Sequence, residues 1–145
     1  MVFNVNDGYK TVFNKLNEKN ENTYIVQFGC ETYEPVSTLN KEIETQFKIK
    51  ETMEKVGKHK IPDCIITNKI FTLIVFDKNG KVNKTNILQS IKFLKLMCDK
   101  YKVKNLVFVN AYFGKGIIGP RGLKGAIESI FKLSAVNVYF TKRKD

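Results

Sequence analysis

The sequence predicts an α/β fold, a three-layer α/β/α sandwich around a mixed, mostly parallel central sheet. Three observations predict it. Segments of strand character alternate with segments of helical periodicity along the whole chain. Several of the strand runs, DCIIT, IFTLIVF and NLVFVN, are almost continuously apolar, the pattern of strands covered on both faces. A glycine loop, GKGIIG from Gly114 to Gly119, lies between the last of those runs and a helical stretch.

Val2 to Val5 is a short apolar strand, and after Asn6-Asp7-Gly8 the residues Val12, Phe13 and Leu16 recur at helical spacing. Thr23 to Phe28 (TYIVQF) is β-branched and aromatic, a second strand. The broken stretch GCETYEPVST gives way to Leu39, Ile43 and Phe47, spaced by four, which predict one amphipathic helix running to Val56. Asp63 to Thr67 and Ile70 to Phe76 are two more strands, the second closed by the turn sequence Asp77-Lys78-Asn79-Gly80. From Thr85, a single face of Ile87, Leu88, Ile91, Leu94 and Cys98 predicts a helix with Thr85 or Asn86 as its N-cap. Asn105 to Asn110 is a buried strand, Pro120 suits the first position of a helix striped by Leu123, Ile127, Ile130 and Phe131, and Val136 to Phe140 is the closing strand. In such a sheet, ligands are expected at the carboxyl ends of the strands.

With 145 residues the chain reads as one domain over residues 1–145, long enough to bury roughly two-thirds of its unfolded surface. The longest apolar run, Phe71 to Phe76, is too short to cross a bilayer, and Met1 is followed by Asn4, Asn6 and Asp7 where a signal peptide would be apolar. A cytoplasmic protein without a membrane partner is the expectation. The three cysteines, Cys30, Cys64 and Cys98, are odd in number and widely separated, with His59 the sole imidazole. They form neither a disulfide framework nor a metal pattern, and no cofactor is expected. Cys64 and Cys98 lie in apolar segments and read as core; Cys30 ends a strand where ligand loops begin. His59, in KVGKHKI, reads as an exposed loop residue.

Lys and Arg outnumber Asp and Glu by 25 to 14, for a formal charge of +11, which favours anionic partners. Most of the excess is lysine spread through the chain amid many asparagines and isoleucines, as codon bias in an AT-rich genome would also produce.

The glycine loop carries the sharpest chemistry. Gly114, Gly116 and Gly119 follow a strand and precede a helix, so backbone amides can turn toward an anion with no Cβ in the way, while Lys115 adds a cation and the helix its positive end. The plainer reading is a tight strand-to-helix connection, with Pro120 and Gly122 serving the same purpose. No GK[ST] ends the loop and it does not follow the first strand, so it is neither a Walker A loop nor a Rossmann fingerprint.

Strand NLVFVN, loop FGKGIIG, helix GLKGAIESIF and strand VNVYF together resemble the end of a macrodomain, most closely the small members that remove ADP-ribose from glutamate or process ADP-ribose phosphates. FNVNDG resembles the family's first strand, which implies that Asp7, beside Gly8, receives the adenine amino group. YIVQFGC resembles the second strand, placing Gly29 and Cys30 at the ligand, and VSTLNKEIETQF resembles the loop and helix that follow. The resemblance implies a macrodomain-like fold with ADP-ribose or a related nucleotide as partner, its diphosphate on Gly114, Lys115, Gly116, Ile117, Ile118 and Gly119.

Two departures bear on catalysis. CETYEPVST stands where the family carries a polar residue near the ribose and a Gly-x-Gly stretch. In the glutamate-specific branch a lysine after the central strand works with an aspartate after the G-x-G-hydrophobic string. Here Asp77 and Lys78 stand near the first position, but Ile118 fills the second and cannot act as acid, base or nucleophile. The expectation is therefore binding without efficient hydrolysis, with Lys78, Asp77 and Cys30 as the catalytic candidates if the protein is an active hydrolase or phosphatase. ADP-ribosylated protein is a further partner under either reading. RNA is the third alternative, because IFTLIVFDKNGKV and GKGIIGPRG also resemble the platform protein of the small ribosomal subunit and +11 suits an RNA partner. That family carries a Gly-Phe-Lys-Gly segment after the hairpin and a basic Asn-Gly-Cys-Arg-Pro tail, whereas this chain runs straight from Val82 into a helix and stops at KRKD.

Overall fold

A computed structural model describes residues 1–19, 21–57, 60–114 and 116–141. The elements are β1 (Val2–Val5), α1 (Tyr9–Glu18), β2 (Thr23–Cys30), α2 (Thr38–Phe47), α3 (Lys50–Val56), β3 (Asp63–Thr67), β4 (Ile70–Phe76), α4 (Lys84–Tyr101), β5 (Asn105–Phe108), α5 (Pro120–Ile130) and β6 (Asn137–Thr141). The six strands form one sheet in the order β1-β6-β5-β2-β4-β3. Every neighbouring pair is parallel except β3 against β4, which makes the sheet mixed and mostly parallel as expected. Among the described residues no helix is long and apolar enough to cross a membrane.

Side-chain alternation along the inner strands builds two cores. On β2, Tyr24, Val26 and Phe28 face a cluster shared with Ile87, Ile91 and Leu94 of α4 and Leu123 and Ile127 of α5. Ile25 faces the other way, into a cluster with Val12, Phe13 and Leu16 of α1, Ile43 of α2 and Met53 of α3. One helical layer is therefore α1, α2 and α3 and the other is α4 and α5. All eight residues of β2 and all seven of β4 are buried, which is why β4 reads as an almost unbroken apolar run and β2 as apolar but for Thr23 and Gln27.

The element boundaries depart from expectation in five places, the first being β2, which runs two residues past Phe28 to Cys30. The helix from Leu39 does not continue to Val56: it stops at Lys48, whose left-handed backbone (φ 50°) sends its amide to the Glu44 carbonyl at 2.8 Å, and α3 starts afresh after Ile49. The break turns Ile49, 3% exposed, into the core, and the Glu44 carboxylate accepts from the Lys50 amide at 2.9 Å. Asn83, not Thr85 or Asn86, caps α4, its side chain accepting from the Asn86 amide at 2.8 Å. β5 ends at Phe108, two residues short of Asn110, although the Val109 amide still donates to the Val26 carbonyl at 2.9 Å. β6 is shifted by one residue to Asn137–Thr141, and the Thr141 hydroxyl donates to the Phe108 carbonyl at 2.6 Å.

Tyr9, on the first turn of α1, is 5% exposed, and its hydroxyl has no hydrogen-bond partner. Burial, then the Glu42 carboxylate, pushes its phenol from 10 up to about 12. A folded-state pKa above the unfolded one gives stability that is fully present below pH 10 and is lost as the pH rises through 12. Tyr9→Phe removes an unpaired buried polar group, so urea unfolding at pH 7 is expected to show a gain of about 1 kcal/mol. The variant also loses less stability than the parent between pH 10 and 12. An unchanged unfolding midpoint at both ends of that range would contradict this account of Tyr9.

Candidate functional site

Because β1, β6, β5, β2 and β4 run parallel, their carboxyl ends share one edge of the sheet. That edge collects the residues singled out from sequence: Asp7 and Gly8 after β1, the glycine loop after β5, Gly29 and Cys30 at the end of β2, and Asp77 and Lys78 after β4. Neighbouring strands lie about 4.8 Å apart, so β5 is on the order of 10 Å from β1 on one side and from β4 on the other.

Gly114 (φ 100°) and Gly116 (φ 83°) hold backbone conformations that other residues adopt only with strain, although both have open space where a Cβ would stand. Gly119 is the N-cap of α5 and has no side chain to offer, and Pro120 follows it inside the helix. The first-turn amides of α5 therefore lack a side-chain cap and face the loop. The loop is rooted by Phe113, 6% exposed, whose ring meets Phe28 edge-on at 4.8 Å and stacks on Phe76 at 5.9 Å. Ile117 and Ile118 pack against the α4/α5 core, and the Ile118 side chain lies over Gly122, where an added Cβ would stand 3.1 Å from it. The loop, with Ala111, Tyr112 and Leu123, walls an open hollow of about 440 Å³. Lys115 and His59 lie outside the described residues.

A second, much smaller hollow of about 30 Å³ adjoins the first through Ala111 and Tyr112 and reaches Ser37 and Asn40 at the start of α2. Beneath it runs a buried polar chain. Asn40 Nδ2 donates to Gln27 Oε1 at 2.8 Å, Gln27 Nε2 donates to the Thr72 hydroxyl at 3.0 Å, and Asn40 Oδ1 accepts from the Val36 backbone amide at 3.3 Å. The sequence reading missed all three side chains. The available signal was Gln27 itself, a lone amide inside TYIVQF, and Asn40 beside the core residue Leu39.

The remaining candidates have definite partners. Asp7 pairs with Lys15 at 3.7 Å, and the carbonyl of Gly8, the N-cap of α1, accepts from the Val12 amide at 3.2 Å. Cys30 is buried in the α4/α5 core, donating to the Asp77 carbonyl at 3.2 Å and accepting from the Thr32 hydroxyl at 3.3 Å. The Asp77 carboxylate accepts from the amides of Asn79 at 2.8 Å and Lys81 at 2.9 Å, so it organises the turn after β4. Lys78 is exposed, and its amide donates to the Glu31 carboxylate at 2.6 Å. Burial pushes the Cys98 thiol up to about 12 and the Cys64 thiol higher still, which keeps both protonated.

No protein-family model and no curated protein matches the sequence. Solved structures do. The chain is similar to the macrodomain of Mycobacterium tuberculosis DarG, with 10% identity over 99% of each chain and a TM-score of 0.75. It is similar to the macrodomain of Thermus aquaticus DarG, with 12% identity over 99% of each chain and a TM-score of 0.69. The IBV X-domain shares 14% identity over 99% of this chain and 90% of its own, with a TM-score of 0.71. The protein thus has a macrodomain fold, strongly divergent in sequence.

Gly29 sits at the edge of the site for a packing reason: a Cβ there would stand 2.7 Å from Thr72 Cγ2. Thr72 is 2% exposed and held by Gln27, so it has no room to yield. Gly29→Ala is expected to cost about 1–3 kcal/mol in urea unfolding. A variant as stable as the parent would show that the β2–β4 contact is looser than the structure has it.

Proposed function

We propose that the protein binds ADP-ribose, or a related NAD-derived nucleotide, along the carboxyl edge of the sheet and does not hydrolyse it efficiently. The single observation that carries this reading is the uncapped start of α5 behind two left-handed glycines, opening on a hollow of about 440 Å³. Amides arranged in that way complement a diphosphate, and the helix dipole adds to them. Asp7, two strands away, serves the adenine amino group, at a separation on the order of 10 Å that suits the two ends of an adenosine diphosphate. The same edge is open to solvent, so the nucleotide can be free or carried on a modified protein.

Binding without turnover rests on what surrounds the hollow. Ile118, at the position the resemblance gives to a catalytic aspartate, is packed on Gly122 and the core. The Asp77 carboxylate is engaged by two turn amides, and Cys30 is buried. Neither is poised as a base or nucleophile.

Isothermal titration with ADP-ribose tests the proposal. Heat of binding is expected, weakened about tenfold by Gly116→Ala, which strains a left-handed position and moves an amide off the diphosphate. Asp7→Ala should weaken ADP-ribose binding while leaving ribose 5-phosphate unaffected. Absence of heat at millimolar ADP-ribose eliminates the reading. Release of ADP-ribose from a modified protein, persisting in Lys78→Ala and Cys30→Ala variants, would show an enzyme with machinery other than these residues.

A further inference from the structure

The charge excess is not even along the chain. Through Asp63 there are nine Lys and Arg against ten Asp and Glu; after it there are sixteen against four. The fold converts this difference into two unlike faces. The helices of one layer, α1, α2 and α3, carry five lysines and five glutamates, whereas α4 and α5 of the opposite layer carry six basic residues against Asp99 and Glu128. Those two acids are already matched, by Lys95 at 3.2 Å and Lys124 at 3.8 Å. Lys84, Lys92, Lys100, Lys102, Arg121 and Lys132 are exposed and form no ion pair among the described residues. Six unneutralised cations on one layer repel one another, a cost that an anionic partner would relieve.

We propose that the outer face of α4 and α5 binds the sugar–phosphate backbone of a single-stranded nucleic acid, independently of the cleft at the carboxyl edge. Charge complementarity names the partner class, and the shape of the patch narrows it. α4 has 18 residues, about 27 Å of rise, and carries its free lysines from its first turn to its C-cap, a row suited to an extended polyanion and not to one compact anion. Tyr101, 39% exposed, sits between Lys100 and Lys102, with the Lys100 ammonium 5.5 Å from its ring centre. An aromatic ring flanked by lysines offers a base a stacking surface while the cations track the backbone, which is how single strands are held without sequence readout. The apolar residues exposed here, Leu96 and Leu133, do not form the continuous stripe that a membrane surface requires.

The test is fluorescence anisotropy of a labelled, unstructured 20-nucleotide RNA at a series of salt concentrations. Binding is expected to weaken with salt at a log–log slope of roughly 0.7 per phosphate contact. The triple variant Lys92→Glu, Lys100→Glu, Lys102→Glu should lose at least about tenfold in affinity, with a smaller slope. Glutamine at the same three positions should give a smaller loss in the same direction. Reversing Lys41, Lys48 and Lys55 on the opposite layer should leave affinity within about twofold, and Tyr101→Ala should lose about fivefold at an unchanged slope. Equal losses from the two triple variants would overturn the proposal, because bulk charge alone would then be at work. Displacement of the strand by saturating ADP-ribose would also overturn it, as would polyglutamate competing as well as RNA. No loss in Tyr101→Ala overturns the single-strand part.

Discussion

The structure depends on β2 lying between β5 and β4 with all eight of its residues buried. A parallel strand in that position must be apolar on both faces and must connect to its neighbours through crossovers long enough to hold a helix. Val26 pairs with Phe108 on one side and Phe71 on the other, so one residue fixes the register of three strands. The same register brings the ends of β2 and β4 level, Cys30 against Phe76, while β5 stops opposite Val26, four residues earlier, and its glycine loop starts from there. Phe113 illustrates the dependence. It anchors the glycine loop only because Phe28 and Phe76, at the ends of β2 and β4, stand where its ring can reach both.

Elements whose burial is uniform or strictly periodic were legible in the sequence. β1, β3 and β4 have the bounds that their apolar runs predict, and α5 begins at Pro120. What the sequence obscured were ends decided by single hydrogen bonds or by tertiary demands. Leu39, Ile43 and Phe47 continue smoothly in helical phase toward Met53, yet the chain breaks at Lys48 because Ile49 must reach the core. No propensity distinguishes that lysine from those beside it. At α4, Thr85 and Asn86 read as the caps, and only the geometry of the Asn83 side chain shows that the cap lies before both.

The candidate site was legible to the degree that it is made of backbone. Glycines at Gly114, Gly116 and Gly119 announce a loop needing unusual conformations, and the structure puts left-handed angles at the first two and a helix cap at the third. Side-chain roles were less legible because they depend on residues distant in sequence. Cys30 reads as a loop thiol until Asp77, 47 residues on, is found accepting its hydrogen bond. Gln27 and Asn40 escape notice because each looks tolerable alone; only their mutual hydrogen bond, in a layer that is otherwise apolar, shows that the floor beneath the second hollow is polar by construction.

Helix α5 ties the two surfaces together. Its uncapped first turn follows the glycine loop, while its exposed side joins α4 in the basic layer. A positive layer flanking a site built from amides raises the local concentration of any anion that approaches, and it does so through a field that salt screens within about 10 Å. Backbone amides, by contrast, act at hydrogen-bond distance and are screened far less. Under the proposed function, selectivity at the carboxyl edge would come from the short-range groups, the loop amides and Asp7, while the lysines of α4 and α5 would set how often anions arrive. That division would let a chain carrying +11 hold a nucleotide at this edge without being filled by every anion it attracts.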